Sequence, residues 1–283
     1  MVLPTGLRTW IVLGTAAQAV LGHPMTSRQE TGCSKEVLEA AADAYIAAQT
    51  AGDISLLEEF VADTWEYEQN NKRMDPQEGV LSKALKIDHR RTNFDLVQCA
   101  TYSEVICADP ANPYVIGTQI RHGEDGRVTL IDTIASTTNS WLFNAQRTLE
   151  YVLQENWDII PEEERDSREV IKAAGDAYMD MWSDATAADK VPWGTPCVRL
   201  EGSAYTGSGS PTDSCTPGIP TNSSQAPNSR RRYVIDEAMG SVSILCVWEH
   251  MMNAADSHEF RLENGKLRYV HTMTECGGQR CTL

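Results

Sequence analysis

Apolar residues recur at helical spacing in two stretches of the chain. Val37, Ala40, Ala41, Ala44, Tyr45 and Ala48 form one such face, and Val170, Ala173, Ala174, Ala177, Tyr178 and Met181 form the other. Each run predicts an amphipathic helix, with Ser34 and Ser167 standing at the N-cap positions and Glu169 close behind the second. The stretches Glu36–Tyr45 and Glu169–Tyr178 align residue for residue at an offset of 133. A second repeated stretch has strand character: Gly126–Ile134 resembles Gly265–Met273, at an offset of 139. Both follow a turn, Glu124-Asp125-Gly126 or Glu263-Asn264-Gly265, so each reads as a strand leaving a hairpin. Tyr114–Arg121 and Ser257–Leu262 are the partner strands this predicts.

These patterns describe one α+β unit present twice, a long helix followed by antiparallel hairpins. The first unit is expected over 33–156 and the second over 167–275, joined by a linker at 157–166 that carries Pro161 and three consecutive Glu. Within the second unit, residues 202–229 are rich in Gly, Ser, Pro and Thr and read as a loop insertion over one end of it. Residues 276–283 form a tail. At the other end, Arg8 precedes an apolar run from Trp10 to Leu21 that closes in small residues, the pattern of a signal peptide over 1–22. The run is too short to span a bilayer, which takes about 20 apolar residues.

Eight cysteines agree with an oxidising route, and spacing pairs Cys197 with Cys215 and Cys276 with Cys281. No Cys-x-x-Cys occurs and the six His show no ligand spacing, so no metal site is expected. A net charge of −16 disfavours nucleic acid and anionic membrane surfaces as partners. Asn222-Ser223-Ser224 is a glycosylation sequon within the loop insertion.

The run Tyr45 to Asp53, with Ala51-Gly52-Asp53 at its end, then Leu56 to Asp63 and Trp65-Glu66-Tyr67-Glu68, resembles the ketosteroid-isomerase, or SnoaL-like, branch of the NTF2 superfamily. That resemblance implies tandem cone-shaped units, each a long helix packed on a curved antiparallel sheet around an apolar pocket. It implies a hydrogen-bonding tyrosine at Tyr45 and a catalytic carboxylate at Glu68 or within one residue of it. Tyr178 and Glu201 repeat the pair at the same separation of 23 residues, although Gly52-Asp53 has no counterpart there. Strand parity adds Asp132 and His271, equivalent in the repeats and each on a face with apolar neighbours. Such a polar group either satisfies a buried hydrogen bond or faces a wet pocket. At helical spacing the tyrosines read first as core residues with a satisfied hydroxyl, and the two Glu read equally as pocket acids or as solvated strand-edge groups.

Asp88-His89-Arg90-Arg91 reads as a solvated turn or a helix-terminal salt-bridge group, with His89 a reserve candidate, and Arg230-Arg231-Arg232 as an exposed run, a processing site or an anion contact. Trp65, Trp141, Trp182 and Trp193 read as core, one or two of them lining a pocket. Gly79-Val80-Leu81-Ser82, Leu85 to His89 and Trp193 to Cys197 resemble a fungal secreted family with two such units, which includes hetero-Diels-Alderases of tropolone sesquiterpene pathways.

This resemblance implies a cofactor-free secreted enzyme that isomerises, dehydrates or cyclises a small apolar molecule. The other reading is a secreted protein that binds such a molecule without turnover. The superfamily's homodimer can be replaced, or added to, by pairing of the two units.

Overall fold

The computed structural model describes residues 1–2, 32–220 and 222–282, so the leader expected over 1–22 lies outside the described residues save for Met1 and Val2. The architecture is α+β, with few helices and two six-stranded sheets. The first sheet is built from β1 Val61–Gln69, β2 Lys72–Arg73, β3 His89–Asp95, β4 Ala100–Cys107, β5 Tyr114–His122 and β6 Val128–Ser136. The second is built from β7 Trp193–Glu201, β8 Ala204–Tyr205, β9 Asn228–Asp236, β10 Ser241–Trp248, β11 Ala254–Glu263 and β12 Lys266–Glu275. Their strand orders, β2-β1-β6-β5-β4-β3 and β8-β7-β12-β11-β10-β9, are the same. In each, the first long strand runs parallel to the last and all other pairs are antiparallel.

Helix α1, Lys35–Ala51, covers one face of the first sheet, and α3, Arg168–Asp180, covers the matching face of the second. Ser34 and Ser167 cap them, each accepting from the backbone amide three residues on. The buried stripes are Leu38, Ala41, Ala42, Tyr45 and Ala48, and Ile171, Ala174, Gly175, Tyr178 and Met179. Val170, Ala40 and Ala173 are exposed and Val37 is only half-buried, contrary to the sequence expectation, because rotating the stripe by one residue buries the larger Leu38 and Ile171. Two further helices, α2 Ala145–Val152 and α4 Ala185–Ala188, were not foreseen; Asn144 caps the first of them.

The other faces of the two sheets meet. Tyr102, Ile106 and Ile134 pack with Leu200, Leu245 and Met273 in one cluster, which is threaded by buried polar groups. Asn93 donates to Ser241 and Glu259 at 2.9 and 2.7 Å, and Gln119 donates to the Arg232 carbonyl at 2.9 Å. Arg168 forks onto Asp95 at 2.7 and 2.8 Å. Arg91 lies at the centre, 2.9 Å from Glu104 and 2.6 Å from Glu259, with its guanidinium 3.6 Å from the Trp157 ring. The Asp88–Arg91 run is therefore no solvated cluster: strand alternation leaves Arg90 outside, paired with Asp43, and turns Arg91 inward.

His271 belongs to this interface. It donates from Nδ1 to Glu104 at 2.8 Å and from Nε2 to Glu155 at 2.6 Å. Burial works against its protonation, but Glu155 and Glu104 more than offset that and raise its pKa to about 10. Since the folded pKa exceeds the free value of about 6.5, this group's contribution to stability is complete below pH 6.5 and disappears as pH rises through about 10. Melting temperature should fall across that window, and His271→Gln should flatten the slope; equal slopes in the two proteins would remove His271 as its source. Glu104, Glu259 and His271 lie close enough together to ligate a metal, but Arg91 already stands against both carboxylates, so the group reads as an ion-pair network.

Three disulfides, Cys33–Cys99, Cys197–Cys215 and Cys276–Cys281, span Cα separations of 5.4, 5.1 and 5.4 Å. They fit an extracellular or secreted protein. Cys107 and Cys246 remain free and buried. Among the described residues no helix is long and apolar enough to cross a membrane.

Candidate functional site

A cavity of about 280 Å³ opens in the second half of the chain. Trp182 follows α3, Trp248 ends β10, and Met251 sits in the turn after it; these supply the apolar wall. The polar end comes from β7, where Arg199 and Glu201 stand two apart and so share a face, while Leu200 between them points into the contact between the sheets. The two charged groups form an ion pair.

The loop insertion closes one side. The Cys197–Cys215 disulfide ties it to β7, and Asp213 gathers the backbone amides of Ser208, Gly209 and Ser210. From this loop the Pro217 carbonyl accepts from Arg199 at 2.5 Å, and Gln225 accepts from the Trp248 indole at 2.7 Å. Asn222, the sequon residue, is exposed.

Another wall comes from outside the second half. Trp141 lies in the segment leaving β6, its backbone amide donates to Thr274, and its indole N–H donates to Glu201 at 2.8 Å. This approach demands glycine at 202, where φ is +57° and a Cβ would come within 2.5 Å of the Trp141 carbonyl oxygen.

Several buried donors around this site have no protein partner: the Tyr178 hydroxyl, Trp182 Nε1 and Arg199 Nε. Burial pushes the Tyr178 phenol well up, with Arg199 pulling the other way.

The first half contrasts with this. Tyr45 is buried and its hydroxyl meets Thr118 at 2.8 Å, which in turn meets Thr133 at 3.0 Å. Tyr67, Leu57, Leu81 and Leu85 pack in the same cluster, so this interior is filled by side chains.

Of the sequence candidates, Glu201 lines the cavity beside Arg199, whereas Tyr178 is wholly buried in the core cluster under the sheet's helix and is not among the lining residues. Glu68 does not lie beside Tyr45. Its neighbour Tyr67 takes the interior face, and Glu68 faces the second half, 2.5 Å from Arg230. Asp132 likewise pairs with Arg232 at 2.6 Å, and His271 with its two Glu. Parity misled here because β-bulges interrupt β5–β6 and β11–β12, so the faces before and after each bulge differ.

Register also corrects the pairing of the carboxylates. Glu201 lies opposite Thr272, and its counterpart opposite Thr133 is Gln69, not Glu68. Gln69 accepts from Tyr67 and from the Val80 amide, a purely structural role. Arg199 and Trp248 were missed as candidates; the i, i+2 spacing of Arg199 and Glu201 on a predicted strand was the available signal. The Arg230–Arg232 run is not free, since Arg230, Arg231 and Arg232 each hold a carboxylate.

Residues 164–274 match the family described as a domain of unknown function, DUF8021. Comparison with curated proteins gave no match. Among solved structures, a DUF4783 family protein from Bacteroides fragilis is similar at 14% identity and a TM-score of 0.25, over 33% of this chain and 96% of that one. A DUF4783 family protein from Bacteroides ovatus is similar at 11% identity and the same TM-score, over 33% of this chain and 94% of that one.

Proposed function

We propose that this chain is a secreted, cofactor-free enzyme that takes a small apolar molecule into the cavity of its second half and isomerises, dehydrates or cyclises it. Each half is read as an NTF2-like cone, with the second open and the first filled. The observation carrying the proposal is a cavity walled by Trp141, Trp182 and Trp248 whose polar end is the Arg199–Glu201 pair. At about 280 Å³ it stands just below the roughly 300 Å³ lower bound of small-molecule sites, room for one or two fused rings.

Tryptophan faces hold a flat apolar ligand in place, while Arg199 offers N–H donors to an oxygen on which negative charge develops. Glu201 is the acid–base candidate once a ligand displaces the Trp141 indole from it. In a hetero-Diels-Alder version, Arg199 polarises the heterodiene oxygen and the aromatic walls hold both reacting components in near-attack geometry.

One observation favours the alternative of binding without turnover: both Glu201 oxygens are already engaged, by Trp141 and by Arg199. Deleting the gene in its host and comparing metabolites separates the two. An enzyme leaves one accumulated precursor that the purified protein converts, whereas no accumulation and no conversion would reduce the chain to a binder.

A further inference from the structure

A second cavity, of about 640 Å³, lies inside the roughly 300–1,000 Å³ range of small-molecule sites. It shares Trp141, Leu142 and Ala204 with the Arg199–Glu201 cavity, but its chemistry differs. Leu142 and Phe143 give it an apolar side, Asn144 and Ser203 add neutral polar groups, and Arg147 and Arg280 bring two positive charges. Among the described residues no acidic group lines it.

Both arginines sit on fixed backbone. Arg147 is in the first turn of α2, where its amide donates to the Asn144 side chain at 3.0 Å, and its guanidinium donates to the Tyr151 hydroxyl one turn on at 3.1 Å. Arg280 lies inside the Cys276–Cys281 disulfide loop, and the Cys281 amide donates to the Asn139 carbonyl at 3.3 Å, which seats the tail against the same cleft. The carboxylates nearest in sequence are otherwise placed: Glu275 is taken up by the Gly277 and Gly278 amides, and Glu150 is exposed and outside the cleft. Among the described residues no ion pair engages Arg147 or Arg280, whereas Arg90, Arg168 and Arg232 each hold an aspartate.

With a net charge of −16 the chain has carboxylates to spare, so two guanidinium groups facing one cleft without an acid stand out from its pattern. Their charges repel, and the low-dielectric walls focus the combined field into the cleft. Asn144 caps α2 at the cleft, so the positive end of that helix dipole adds to the field. A carboxylate placed there turns the repulsion into charge-assisted hydrogen bonds, and the planar guanidinium groups match its two oxygens. We propose that this cleft binds a small organic acid, its carboxylate held by Arg147 and Arg280 and its apolar body laid against Leu142 and Phe143. Extended polyanions are repelled by the acidic surface around it. Binding here requires no chemistry in the neighbouring cavity.

The test is calorimetric titration of the full chain with 2-naphthoate, and with 2-naphthol as the same ring without a charge at neutral pH. 2-Naphthoate should bind with a Kd below about 1 mM, and Arg147→Gln combined with Arg280→Gln should weaken it at least about tenfold while leaving 2-naphthol affinity as it was. Both arginines are exposed, so the melting temperature should not move with the loss. Raising sodium chloride from about 50 to about 500 mM should weaken 2-naphthoate binding to the unaltered chain and hardly change it in the double variant. Arg73→Gln combined with Arg90→Gln removes the same charge elsewhere and should change 2-naphthoate affinity by no more than about twofold. Absence of 2-naphthoate binding, equal affinity in the Arg147 and Arg280 double variant, or an equal loss in the Arg73 and Arg90 pair would each overturn the assignment.

Discussion

Arg91→Met should lower the free energy of unfolding by about 3–5 kcal/mol, because it leaves Glu104 and Glu259 buried with no guanidinium between them. The neighbouring Arg90→Met should change it by no more than about 1 kcal/mol, since Arg90 and Asp43 meet in solvent. Urea titrations of the two variants at neutral pH make the comparison, with the slope of the transition checking that the unfolded state is unaltered. Equal midpoints would mean that the contact between the sheets is held by its apolar cluster and that the buried charges are incidental. The size of the expected effect is that of breaking an ion pair, not the net worth of having one. Replacing the whole network with apolar residues of the same volume is a different experiment and can be neutral.

The second large effect concerns activity. Glu201→Gln should lower turnover by roughly 10²–10⁴-fold while leaving ligand affinity largely intact, because the amide keeps the shape of the site but cannot exchange a proton. Glu68→Gln should leave turnover unchanged, since Glu68 faces Arg230 across the sheet contact and not the cavity. Turnover of a precursor isolated from the host reads both. Loss in Glu68→Gln with retention in Glu201→Gln would move the chemistry to the other half and sink the assignment to the second.

Much of the frame was legible in the chain before any coordinates. Both long helices, their serine caps, the hairpins β5–β6 and β11–β12 and two of the three disulfides follow from spacing and turn chemistry. The site was legible only in part. Glu201 lines the cavity while Tyr178 is packed in the core beside it, and the equal 23-residue separation suggested Glu68 as the partner of Glu201 where sheet register assigns Gln69. A one-residue slip reverses the face of a strand residue, and sequence spacing does not detect it. Asp132 and His271 went to the wrong side for a related reason, the bulges that break alternation. The buried Arg91 was hidden because a charged residue on a strand carries no local mark of what the opposite sheet offers it. One signal went unread: Asp256 and His258 share a strand face.

Trp141 has a bearing on how much of the chain the site requires. The indole that closes the cavity and binds Glu201 precedes the stretch matched by the DUF8021 family, 164–274. A fragment trimmed to that stretch would keep Arg199 and Glu201 yet expose them to water on one flank, weakening the interaction of the guanidinium with the carboxylate. The first half therefore has a task in the second: through Trp141 it furnishes a shutter for its sister's cavity.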